Sequence, residues 1–141
     1  MPWDIFERAA SRYEGWYDTA PGHRADQAER ALLAWLVGFF PTAGSVLEVG
    51  CGSGHFTAWL AEKDVRAIGL DRAPAMLVVM RQRFPQIPVI MGDAHRLPVR
   101  ARAVDLVVFV TTLEFVEEPV MALTEAVQVA RQGLVLVTLN P

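Results

Sequence analysis

The chain has 141 residues, 52% of them hydrophobic and 21% charged, with a formal net charge of −3. That is enough for one domain, and it excludes intrinsic disorder, which needs low hydrophobicity and high net charge. A slightly acidic balance also gives no general attraction to nucleic acid or to an anionic membrane.

The first ten residues carry Asp4, Glu7 and Arg8, which is wrong for a secretory leader. Residues 3–20 are predicted helical, with Ile5, Phe6, Ala9, Tyr13, Trp16 and Tyr17 at mixed three- and four-residue spacing. Pro21-Gly22 should break that helix. A second helix is expected from about Arg24 to Phe40, with Ala28, Ala31, Leu32, Trp35, Leu36 and Phe39 on one apolar face. Its apolar run, Ala31 to Phe40, has ten residues, against about 20 for a membrane span. It reads as a buried helix, and the expected compartment is the cytosol. Pro41 and Gly44 end it.

From residue 45 short apolar runs alternate with helical stretches. Strands are expected at Ser45–Val49, Val65–Leu70, Pro88–Ile90, Val104–Val110 and Leu134–Leu139. Helices are expected at His55–Glu62, Pro74–Phe84 and Pro119–Arg131, with Gln132-Gly133 capping the last. Gly92 to Val99 reads as a loop. Val104–Val110 is almost continuously apolar, as a central strand covered on both faces should be. This alternation implies an α/β fold, a parallel sheet with helices on both faces.

Three features carry chemistry. The first is Gly50-Cys51-Gly52-Ser53-Gly54, between a strand and a helix. Glycines there allow a tight turn and close backbone approach to a ligand, and the helix start adds free N–H donors. Cys51 is the only cysteine, so no intrachain disulfide and no cysteine-based zinc site can form. The second is Asp71, 21 residues after Gly50 at the end of the next strand. A carboxylate there can accept both ribose hydroxyls of a nucleoside, or cap the following helix. The third is Gly92-Asp93-Ala94, where a carboxylate can accept the exocyclic amine of adenine.

Glu48-Val49-Gly50-Cys51-Gly52-Ser53-Gly54, Gly69-Leu70-Asp71, Gly92-Asp93-Ala94 and Val104-Asp105-Leu106-Val107-Val108 resemble the successive motifs of class I S-adenosylmethionine-dependent methyltransferases. The resemblance is closest to the small-molecule branch with the ubiquinone/menaquinone-type enzymes. It continues through Leu113, Pro119, Glu125 and Gln132-Gly133 and covers about residues 45 to 139. It implies a Rossmann-like open, mainly parallel five-stranded sheet. Residues 1–44 would form an N-terminal helical cap and 45–141 the core of one domain.

By the same resemblance, Gly50, Cys51 and Gly52 would lie against the methionine part of S-adenosylmethionine, with Glu48 heading that motif. Asp71 would hold the ribose, and Arg72 and Met76 would flank the adenine. Asp93 would take the adenine amine, with Ala94 contributing backbone, and Val110 and Thr111 would pass close to the cofactor. Ala10-Ser11-Arg12-Tyr13 matches a first-helix segment that covers the methionine end, so Tyr13 is the candidate lid, with Tyr17 second. The implied reaction moves a methyl group from a sulfonium to a small-molecule acceptor, leaves S-adenosylhomocysteine and requires no metal. His55, His95 and Glu114 are the candidate bases for an O or N acceptor. Glu114-Phe115 stands where relatives often carry two histidines, so no catalytic residue is assigned.

Family sheets usually have seven strands, so the chain is expected to be truncated after its fifth. An exposed Leu134–Leu139 edge could then pair with another copy. One alternative is a cofactor-binding module without turnover. Another is a nicotinamide oxidoreductase, whose G-x-G-x-x-G fingerprint fails here because position 55 is His55.

Overall fold

A run with no polar alternation must be covered on both sides, and Val104–Val110 (β4) is buried at every position but one. It lies beside Ser45–Val49 (β1), which is buried throughout. The computed structural model describes residues 4–10 and 13–139, with the side chains of Phe6, Tyr13 and Glu14 outside the described set. The remaining strands are Arg66–Asp71 (β2), Val89–Met91 (β3) and Ala130–Val137 (β5). They form one sheet of order β3-β2-β1-β4-β5 in which all pairings are parallel.

The helices are Asp4–Ala9 (α1), Ala20–Val37 (α2), His55–Ala61 (α3), Pro74–Arg83 (α4) and Pro119–Val129 (α5). On one side of the sheet, Val46, Ala67, Leu106 and Val108 meet Leu33 of α2 and Phe56 and Leu60 of α3. α4 covers the same side farther out: a Cβ on Gly69 would come within 2.9 Å of Met80 Cε. On the other side, Leu47, Leu70, Val107 and Phe109 meet Ala126 and Val129 of α5 and Leu97 from the loop after β3.

Four local expectations need correction. Residues 3–20 are not one helix: α1 ends at Ala9, and Tyr13–Asp18 forms a separate 3-10 turn. Pro21-Gly22 does not break a helix but sits in the first turn of α2. The Thr19 hydroxyl caps that turn, accepting from Gly22 N–H at 3.0 Å, and proline needs no hydrogen-bond partner there. Gly22 is required for close approach, since a Cβ would lie 1.8 Å from the Trp16 carbonyl oxygen.

The inward face of α2 also differs. Trp35 is 63% exposed and Phe39 64%, whereas Leu33 is fully buried. Between residues 31 and 37 the helix is apolar all round, so periodicity cannot choose a face. Asp26 does: its carboxylate is held inside by Arg30 at 2.9 Å and His55 at 2.7 Å, and Leu33 lies two turns on from it.

Finally, Gln132-Gly133 does not cap α5. The helix passes into β5 with no residue between them. The first residues of β5 are fastened by Arg131, which donates to Asp105 Oδ1 and to the Arg102 carbonyl, both at 2.9 Å. Gly133 makes room for Phe40, 2.8 Å from where a Cβ would stand.

Candidate functional site

The strand order reverses between β1 and β4, and in open parallel sheets the crevice at that point, beyond the carboxyl ends of the strands, is where ligands sit. A cleft lies there. It is lined from the exits of the three inner strands and of the edge strand β3: Gly50 and Gly52 after β1, Asp71 at the end of β2 with Arg72 after it, Asp93 and His95 after β3, and Thr111 and Thr112 after β4.

The glycine turn has positive φ at Gly50 (78°), Gly52 (55°) and Gly54 (90°), a region other residues enter at a cost. At Gly50 a Cβ would stand 2.3 Å from Thr112 Cγ2. At Gly52 a Cβ would meet nothing nearer than Met76 Sδ at 3.9 Å, so the space before it is open to a ligand.

Asp71 binds the turn to β2. Its Oδ2 accepts from Gly52 N–H at 2.8 Å and its Oδ1 from Ala73 N–H at 2.9 Å. Burial pushes its pKa up, against the pull of these backbone donors. Each carboxylate oxygen can accept more than one hydrogen bond, so both retain capacity for ligand hydroxyls. Beside it, α1 is clipped to α4: the Glu7 carboxylate accepts from Ala75 N–H at 3.2 and 3.3 Å.

Asp93 is set by its own turn. Its Oδ1 accepts from His95 N–H at 2.9 Å and lies 2.7 Å from His95 Nδ1. Burial raises its pKa, but these bonds and the Arg72 charge outweigh it and hold the carboxyl below its ordinary value. On the fourth wall Thr111 has φ 48°, unusual for a β-branched residue, and its N–H donates to Val137 O at 2.7 Å. That bend turns the chain out of β4 so that Thr112 packs on Gly50.

Of the residues proposed from the sequence, Gly50, Gly52, Asp71, Arg72, Met76, Asp93, Ala94, Val110 and Thr111 converge on this cleft. Glu48 and Cys51 do not line it: Glu48 is bonded to Thr57 of α3, and Cys51 packs against Met80 of α4. Cys51 Sγ lies 3.6 Å from Met80 Sδ, and burial pushes its pKa well up. The side chain of Tyr13 lies outside the described residues. Tyr17 stacks on the His55 ring, with centroids 3.7 Å apart.

Two of the candidate bases are placed elsewhere. His55, the first residue of α3, is bonded to Asp26 and buttresses α2. Glu114 accepts from Leu139 N–H at 3.0 Å. Thr112, Phe115 and Val116 line the cleft without having been foreseen. The only signal for them is their position after a central strand.

Glu48 is 2% exposed and accepts from Thr57 Oγ1 at 2.6 Å. Burial pushes its pKa up to about 8, with the Asp71 charge adding and the Thr57 bond opposing. Glu48 is therefore a neutral acid in the fold at neutral pH. An unfolded glutamate ionises near 4.5, so between there and about 8 the native state binds the extra proton and stability falls as pH rises. Glu48→Gln is expected to remove that loss, about 1.4 kcal/mol per pH unit for one proton. Melting curves at about pH 5 and about pH 8 check it. A wild-type-to-variant gap that is the same at both values counts against it.

The family described as "Methyltransferase domain" matches residues 47–138. The chain is 33% identical over 128 residues to malonyl-[acyl-carrier protein] O-methyltransferase of Serratia marcescens, covering 91% of this chain and 49% of that protein. It is 35% identical over 104 residues to demethylmenaquinone methyltransferase of Renibacterium salmoninarum, covering 74% and 44%. A solved S-adenosylmethionine-dependent methyltransferase from Thermotoga maritima superposes with a TM-score of 0.70 at 30% identity, over 94% of this chain and 60% of that one. The chain spans about half the length of these curated relatives.

Proposed function

This chain belongs to the class I S-adenosylmethionine-dependent methyltransferases, and from that membership we propose that its cleft holds the cofactor for methyl transfer to a small-molecule acceptor. The observation that carries the reading is the pair of carboxylates, Asp71 and Asp93, at neighbouring strand exits of one cleft whose opposite wall is an open glycine turn.

The residues fit such a group. Asp71 accepts the ribose hydroxyls and Asp93 the adenine amine. Arg72 and Met76 border the base, and Gly50 and Gly52 admit the methionine end. When bound, the cofactor supplies an electrophilic methyl group on a sulfonium. The chain supplies orientation and a partly apolar wall from Val110, Phe115 and Val116, which suits a step that disperses charge.

Isothermal titration with S-adenosylhomocysteine should give one site per chain, and failure to bind sinks the reading. A second reading, a cofactor-binding module without turnover, is favoured by one observation: His55, His95 and Glu114 are each engaged by another protein group. Binding without methyl transfer to any acceptor tested would select it. The family match leaves the nicotinamide alternative without support.

Among the described residues no helix is long and apolar enough to cross a membrane. A cytosolic location and a single domain with residues 1–44 as its cap are part of the proposal. So is self-association through β5, which among the described residues pairs only with β4 and exposes Leu136, with Leu139 exposed just beyond its end. A monomer at high concentration in light scattering would discard that last element.

A further inference from the structure

We infer that His95 is a positioning residue for adenine recognition: it fixes the Asp93 carboxylate through one ring nitrogen and ties the loop after β4 to the cleft through the other. The inference rests on the functional reading above, in which Asp93 takes the exocyclic amine.

The geometry admits one tautomer. His95 Nδ1 lies 2.7 Å from Asp93 Oδ1, and an ionised carboxylate only accepts, so Nδ1 carries the proton. His95 Nε2 lies 3.0 Å from the Glu118 backbone nitrogen, which only donates, so Nε2 presents its lone pair. The neutral Nδ1–H imidazole satisfies both contacts. The other tautomer loses both, and the imidazolium loses the Glu118 bond. The ring is also largely buried, with 14% of its side chain exposed. With both nitrogens committed inside the protein, the ring orients its neighbours.

The consequence for Asp93 is directional. Oδ1 receives two donors, His95 N–H and Nδ1–H. Among the described residues, the group near Oδ2 is the Arg72 guanidinium, with Nη1 3.9 Å away. Oδ2 is thus the oxygen left to a ligand amine, and its aim is set by the grip on Oδ1. The consequence for the cleft is a tether. Glu118 immediately precedes α5 and ends the segment that carries Thr112, Phe115 and Val116. Arg72 crosses the same junction, 4.0 Å from Glu117 Oε1, so segments following β2, β3 and β4 meet at this point.

The two nitrogens can be separated by substitution. Asparagine places an amide donor near the Nδ1 position and reaches no farther. Glutamine places an amide oxygen near the Nε2 position. The measurement is the ratio of affinities for S-adenosylhomocysteine and its inosine counterpart, in which a carbonyl oxygen replaces the exocyclic amine. Each is titrated into the full chain, and a melting curve is recorded for each variant.

Wild type should prefer the adenosyl ligand at least tenfold, the loss expected when one charge-assisted hydrogen bond is removed. His95→Gln should lower that preference about tenfold, toward indifference. His95→Asn should keep the preference while weakening both ligands by a common factor. A merely structural role would lower both affinities together in both variants and leave the ratio alone. His95→Gln with the wild-type ratio, or both variants shifting it equally, overturns the inference. A wild-type chain that binds neither ligand sinks the functional reading and this inference with it. A wild-type chain that binds both equally removes Asp93 from amine recognition and overturns the inference alone.

Discussion

Asp71→Ala should weaken S-adenosylhomocysteine binding at least a hundredfold. Two ribose hydroxyls lose a charged acceptor, at roughly 1.5–3 kcal/mol each, and about 1.4 kcal/mol is tenfold. The damage extends further, because the same carboxylate accepts from Gly52 and Ala73 N–H and so holds the glycine turn against the end of β2. Asp71→Asn is the informative companion. It retains one oxygen for a backbone N–H but turns its amide donors toward the other, so its loss should be smaller and accompanied by a lower melting temperature. Titration calorimetry reads the first effect and thermal unfolding the second. Unchanged affinity in Asp71→Ala would remove that residue from the site.

Gly50→Ala is expected to be the most damaging single methyl in the cleft. The backbone there has φ 78°, and the new carbon would stand 2.3 Å from Thr112 Cγ2 and 2.5 Å from Thr112 Oγ1. Left-handed strain and overpacking together amount to about 2–5 kcal/mol. Thr112 cannot simply retreat, since its hydroxyl donates to Val110 O at 3.0 Å. Gly52→Ala separates fold from binding. Its carbon meets only Met76 Sδ at 3.9 Å, so the strain should be about 1 kcal/mol, while the methyl occupies space proposed for the methionine end. A Gly50→Ala chain that melts with wild type would show that the turn is not constrained in this way.

The strands were readable from sequence because a parallel sheet buried on both faces needs near-continuous apolar runs. Ser45–Val49 and Val104–Val110 are such runs, found with the expected bounds. The glycine turn and the two aspartates were readable for a related reason: backbone conformation and strand-end position are local properties. What failed was non-local. The inward face of α2 is decided by Asp26 meeting His55, 29 residues away, which a ten-residue apolar stretch cannot reveal. Gly133 reads as a cap because its partner, Phe40, lies far back in the chain, in the loop between α2 and β1. The role of His95 depends on a backbone N–H 23 positions farther along. Phe115 and Val116 bear no signature beyond following a central strand, so only the fold places them in the cleft.

The joint between α5 and β5 has no connecting loop. Helix and strand share a covalent boundary at Val129–Ala130, and the strand side is clamped by Arg131 to Asp105 and Arg102. The ladder with β4 takes up that boundary in a register irregularity, Val104 pairing with Ala130 and Leu106 with Gly133. The start of that helix is where the tethered segment from the cleft arrives. With helix and strand continuous, α5 and β5 should exchange their amide hydrogens as one cooperative unit. A residue inserted at Ala130 would uncouple them.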